Sequence, residues 1–164
     1  MTTTTHTHDL VIAWLRDAYA MEKALIPVLE NHAKDAARHP QVRQRIEQHA
    51  TETRHHAELV EQALRQLGEE PSTVKNILSR VIGAAQSVAT GVFKDEEVKN
   101  ALSDYAAENF EIASYRALIE AAQNLNRPEL VQTFQQILRE EEAMARFLEQ
   151  NLSTTVRDAL AVAA

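Results

Sequence analysis

The sequence predicts an all-α fold, an antiparallel bundle of four long helices, on three observations. Glycine (3) and proline (4) are scarce in 164 residues, too few for the many tight turns of a β-rich fold. Ala, Leu, Glu, Gln and Arg dominate, and all are good helix formers. Apolar residues recur at three- and four-residue intervals through four long stretches separated by Pro, Gly or Asn signals. The length suits one domain with a sizeable core.

The first helix is expected from about Asp9, a reasonable N-cap, to Arg38, after a disordered leader over 1–8. Its inward seam reads Leu15, Ala18, Tyr19, Glu22, Leu25, Ile26, Leu29, Ala33 and Ala36. Pro27 should kink it, and His39-Pro40 should end it. The second helix is expected over about Gln41 to Leu67, with Gly68 as its stop. The weaker pattern from Ser72 to Lys94 reads as a helical crossover that carries the chain back along the bundle. The third helix is expected over about Asp95 to Leu125, with Asp104 or Tyr105, Glu108, Glu111, Ile112 and Tyr115 in its seam. The fourth is expected over about Pro128 to Leu152, and its seam runs Val131, Phe134, Ile137, Leu138, Glu141, Met144, Leu148. Residues 153–164 would form a short helix or a tail, leaving 9–152 as the bundle proper. Trp14 and the four Phe are expected in the core or an interface.

Several function classes are disfavoured. The net charge is −7 and no basic stripe is visible, which argues against nucleic acid. No apolar run approaches a membrane span, and the N-terminus lacks the basic and apolar regions of a signal peptide, so the cytoplasm is the expected compartment. There are no cysteines, so a metal would be held by His and carboxylates.

Each long helix carries a Glu in or beside its inward seam: Glu22, Glu52, Glu108 with Glu111, and Glu141. Burying an unpaired carboxylate costs several kcal/mol or forces protonation, and several together repel. A cation among them removes the repulsion, which is the logic of a carboxylate-bridged dimetal site. Counted from the two short turns, Glu22, Glu52 and His56 fall near one level, and Glu111 and Glu141 near another. The counting does not fix one hairpin against the other. Glu52 and His55 have the Glu-x-x-His spacing, while His56 lies on the inward face, so one of His55 and His56 is the expected ligand. His49 is expected mostly at the surface, as are His6, His8, His32 and His39. Glu140 and Glu142 are expected in solvent, and Tyr19 and Tyr115 within a turn of candidate ligands.

Four segments then carry a resemblance: Leu15 to Lys23, His49 to His56, Glu108 to Tyr115, and Leu138 to Ala143. With them the chain resembles, over about residues 9–150, the YciE/YciF-like branch of the ferritin-like superfamily, bacterial proteins linked to stress responses. The resemblance implies a ferritin-like bundle with a long crossover between helices 2 and 3, a dimetal centre, usually of iron, and often a homodimer. Position by position it implies Glu22, Glu52, a helix-two His, Glu111 and Glu141 as ligands, with Glu108 as an additional carboxylate. Met144 and Ala145 depart from the pattern, which has ligand-type residues there. The expected activity is reaction with oxygen or peroxide at iron or manganese. The alternative is a non-catalytic stress-associated dimer that binds metal or a protein.

Overall fold

A computed structural model describes residues 2–71 and 96–163. They form four helices: α1 (Thr2–Asp35), α2 (Pro40–Gln66), α3 (Glu96–Asn124) and α4 (Pro128–Ala163). The crossover expected over 72–94 lies outside the described residues.

Two helix boundaries differ from expectation. α1 starts at Thr2, so helix covers nearly all of the stretch expected as a leader, and Asp9 lies inside it rather than capping it. No Gly or Pro precedes Pro27, and Val11, Ile12 and Leu15 are buried. Packing of that turn offsets the modest helix propensity of the Thr run. α4 continues to Ala163, so residues 153–163 extend it rather than forming a separate piece. Thr155 is buried there, and its hydroxyl donates to the Asn151 carbonyl at 3.2 Å. Pro27 lies within α1, which is continuous across it.

The short connections follow local chemistry. Pro40 sits at the start of α2, where its missing N–H costs nothing. At the end of α2 the Gly68 N–H donates to the Arg65 carbonyl, and the Glu69 N–H to that of Leu64, both at 3.0 Å. With Gly68 at φ +81°, this is a Schellman stop. α3 ends the same way, with Asn126 at φ 54° and the Arg127 N–H on the Ala122 carbonyl at 3.0 Å. A Cβ at Gly68 would meet nothing within 4 Å, so Gly68→Ala strains only the backbone. Urea unfolding of that variant should show a loss of about 1 kcal/mol.

Cross-helix contacts fix the register. Residue numbers rise in α1 as they fall in α3, through Glu22–Tyr115, His32–Asp104 and Asp35–Asn100. They do likewise in α2 and α4, through His56–Glu140 and through Arg127, which stands just before α4 and donates to the Gln66 carbonyl. The apolar core is split in two. A larger cluster contains Leu15, Val60, Leu64, Leu118 and Phe134, and a smaller one Leu29, Ile46, Met144 and Leu148. Between them lies a polar layer. Trp14 and Phe110 are 42% and 54% exposed, so neither belongs to the core.

Candidate metal centre

Six side chains make the polar layer: Glu22 of α1, His49 and His56 of α2, Glu108 and Glu111 of α3, and Glu141 of α4. None is more than 2% exposed. Each stands where the helical period points inward, between turns of apolar residues, so packing of the two core clusters forces them together. Glu22, His56 and Glu141 can each offer one donor atom within 4.8 Å of the others, and so can His49, Glu108 and Glu141. Glu141 belongs to both groups. His56 Nδ1 is 2.8 Å from Glu141 Oε1 and 3.7 Å from Glu22 Oε2. His49 Nε2 is 3.1 Å from Glu108 Oε1 and 3.3 Å from Glu141 Oε2.

These contacts have ion-pair distances without hydrogen-bond alignment. Glu22 Oε2, His49 Nε2, His56 Nδ1, Glu108 Oε2, Glu111 Oε1 and both Glu141 oxygens are buried with no hydrogen-bond partner. Buried polar atoms are nearly always satisfied, and a cluster of unsatisfied ones calls for an ion or water. Carboxylate and imidazole donors suit iron, manganese or zinc.

The outward-facing nitrogens are held by other carboxylates. His56 Nε2 lies 2.6 Å from Glu140 Oε2, and His49 Nδ1 3.0 Å from Glu52 Oε2. Glu52 is fixed in turn by Arg45 at 3.0 Å and Gln48 at 2.8 Å. These outer bonds leave Nδ1 of His56 and Nε2 of His49 facing the centre. The Tyr115 hydroxyl donates to Glu22 Oε1, which leaves Oε2 turned to the cluster.

Charge in the layer is shared unequally. Burial pushes the Glu111 carboxyl well above its usual range, and the charges of Glu141, Glu22 and Glu108 add to the shift. Burial also raises Glu22, against the opposing pull of the His56 imidazole, and raises Glu108 to about 8 against the pull of His49. Burial would lift Glu141 too, but the adjacent His49 and His56 imidazoles outweigh it and hold this carboxyl below its usual range. Burial works against charge on the imidazoles as well, yet Glu141 and Glu22 raise His56 to about 10, and Glu108 raises His49 well above its usual value. Glu52 falls to about 2, chiefly through its bond from His49. Without metal, the layer therefore favours charge on the two imidazoles and on Glu141 and disfavours it on Glu111.

Of the residues singled out in the sequence, the fold brings Glu22, His56, Glu108, Glu111 and Glu141 together. It does not bring in Glu52 or His55. Glu52 stays at the edge, its side chain 21% exposed, bonded to His49. His55 faces away, its side chain 52% exposed, 3.5 Å from Glu58. The Glu52–His55 spacing thus puts no pair of donors in the centre, because residue 55 is a turn position off the buried face. His49, expected mostly at the surface, is instead in the centre. Glu140, expected in solvent, is partly buried against His56. The signal for His49 was its seven-residue spacing from His56, which keeps both on one face. Thr53 occupies the place three residues before His56 where a Glu-x-x-His pair would have its Glu, and Met144 the place three after Glu141. Both are buried. His49 and Glu108 restore the count of four carboxylates and two imidazoles found in two-metal bundles.

Fold and centre together define a ferritin-like four-helix bundle whose core carries carboxylate and imidazole groups able to bind metal. The chain belongs to the family described as a domain of unknown function, DUF892, whose pattern matches residues 6–161. Among solved structures, a protein from Xanthomonas campestris is 32% identical, with a TM-score of 0.81 over 94% of this chain and 96% of its own. The Escherichia coli stress protein YciF is 23% identical, with a TM-score of 0.77 over 92% and 97%. A ferritin-like diiron-carboxylate protein from Bacillus anthracis is 21% identical, with a TM-score of 0.74 over 90% and 98%. The last two show the shared fold.

Proposed function

We propose that this chain is a two-metal carboxylate protein, with iron as the resident ion, that reacts with oxygen or peroxide. The observation that carries the reading is the sharing of Glu141 between two buried donor groups whose inward atoms lack hydrogen-bond partners. Glu22, His56 and Glu141 would hold one ion, and His49, Glu108 and Glu141 the other, with Glu111 beside both. Iron there would supply redox chemistry at neutral pH. The protein's own part is to hold the donors rigid and dry. Tyr115 orients Glu22, Glu52 and Glu140 orient the imidazoles, and the two apolar clusters exclude water from either side. A stress role is an extension from the Escherichia coli stress protein YciF.

Purified protein should carry about two iron or manganese ions per chain and consume peroxide. Glu141→Ala should lose both ions, whereas Glu52→Ala should weaken binding by about 10–100-fold without abolishing it. Elemental analysis and metal titration measure both. Loss of metal in Glu52→Ala with retention in Glu141→Ala would overturn the assignment. Met144 favours a second reading, in which metal is held without turnover, because it removes an imidazole from the fourth helix. Metal at full occupancy with no peroxide consumption would select that reading.

A further inference from the structure

Among the described residues, one buried carboxylate lies outside the six. Asp104 is on α3, one turn before Glu108, and is 3% exposed. Its Oδ1 is 2.6 Å from His32 Nδ1, and its Oδ2 is buried with no partner. His32, expected at the surface, has a side chain only 15% exposed. Both residues line a cavity of about 30 Å³ at the end of the bundle where α1 turns into α2. That is room for a small, partly hydrated ion or for a water or two. Glu97 lines the outer side of the same cavity, 3.2 Å from His39 Nε2 and gripped by Arg38 at 2.9 Å.

Along α3, Glu97, Asp104, Glu108 and Glu111 are separated by seven, four and three residues, so they share one helix face. Their acid side chains become steadily more buried going inward, from 12% exposed at Glu97 to 4% at Asp104 and 2% at Glu108. Asp104 Oδ2, Glu108 Oε2 and Glu111 Oε1 are each buried and unpartnered, one turn after another. The rest of that end is closed by Leu29, Ala33, Ile46 and Leu148. A hydrated cation cannot cross such a layer, since shedding water without replacement costs many kcal/mol. A carboxylate at each turn supplies the replacement.

We propose that His32 and Asp104, with Glu97 at the rim, form a transit site for a divalent cation passing from the bundle end to the central carboxylates. It rests on the metal centre proposed above. The site offers two buried protein donors, whereas each central group offers three, so an ion moves inward.

Cobalt(II) added to the metal-free full chain, followed by stopped-flow absorbance and then by equilibrium dialysis, tests this. Asp104→Asn should slow loading about tenfold, the scale of electrostatic focusing, with the final cobalt per chain unchanged. Glu97→Gln should slow it less, and Glu120→Gln, an exposed acid near the opposite end of α3, should leave the rate unchanged. Wild-type rates in both Asp104→Asn and Glu97→Gln would overturn the transit site alone, as would a lower final cobalt content in Asp104→Asn. Absence of cobalt uptake by the wild-type chain would overturn the centre and the transit site together. If Asp104→Asn does not fold, the rate of Glu97→Gln decides, since that side chain is at the rim.

Discussion

Stripped of metal, the protein should lose stability steadily as pH rises from about 6.5 to about 10, and a bound divalent cation should abolish that loss. His56 has a folded pKa of about 10 against 6.5 in the unfolded chain. A raised imidazole contributes fully below 6.5, and its contribution disappears as pH rises through 10. His49 moves in the same direction. Glu108, held at about 8 against 4.5, keeps a proton that the unfolded chain has released, so it too loses stabilisation between those values. Glu22 and Glu111 are raised and act alike. Glu52, at about 2, has the opposite sign: its contribution is present above 4.5 and is lost as pH falls toward 2. Metal-free protein should therefore be most stable near pH 4.5, losing stability above it first through the raised carboxyls and then, above 6.5, through the imidazoles as well. Metal replaces the imidazolium protons, so its affinity rises with pH as the proton-held form weakens. At a free concentration a hundredfold above Kd, each ion adds about 2.7 kcal/mol. Urea unfolding across this pH range, with chelator or with cobalt(II), measures both curves. A metal-free curve that is flat between pH 6.5 and 10 would show that His49 and His56 are not held charged by the carboxylates.

The helices themselves were legible because their period is local. Glu22, Glu111 and Glu141 stand between apolar residues at three- and four-residue spacing, so their inward direction follows from the sequence alone. Errors arose where direction depends on fractions of a turn. His55 and His56 are about 100° apart on the helix, so only one can face inward, and tracing back from Val60 through His56 to His49 gives the two that the fold buries. Glu52 lies about 60° off His49 and reaches the edge rather than the centre. The inward position three residues before His56 belongs instead to Thr53, which carries no carboxylate. The level of one hairpin against the other was not legible at all. It is set by contacts between residues far apart in sequence, Glu22 with Tyr115 and His56 with Glu141. His32 and Asp104 were hidden for the same reason: a lone His near a helix end acquires meaning only beside an acid 72 residues away.

Replacing Glu111 with methionine should make the metal-free protein more stable and the metal-loaded protein less so. Glu111 is 2% exposed, its Oε1 has no partner, and three carboxylates raise its pKa further. In the absence of metal it is a protonated acid in a dry core, and an unsatisfied buried polar group costs about 1–3 kcal/mol. Methionine has similar length, no branch and no polar atom, so it fills the space without a cavity. Substituting well-packed apolar groups for buried ionisable ones is often stabilising by a similar amount. Glu111→Met should thus raise the unfolding free energy by about 1–3 kcal/mol in chelator, and by more as pH rises, since ionised Glu111 is penalised further. With cobalt(II) present the order should reverse, because the variant lacks a carboxylate beside both donor groups and binds the ions more weakly. Paired urea titrations with and without metal measure the crossing. A variant that is destabilised in chelator as strongly as a core truncation would mean that Glu111 is satisfied in the metal-free fold. The orphaned oxygens would then no longer point to a site built for an ion.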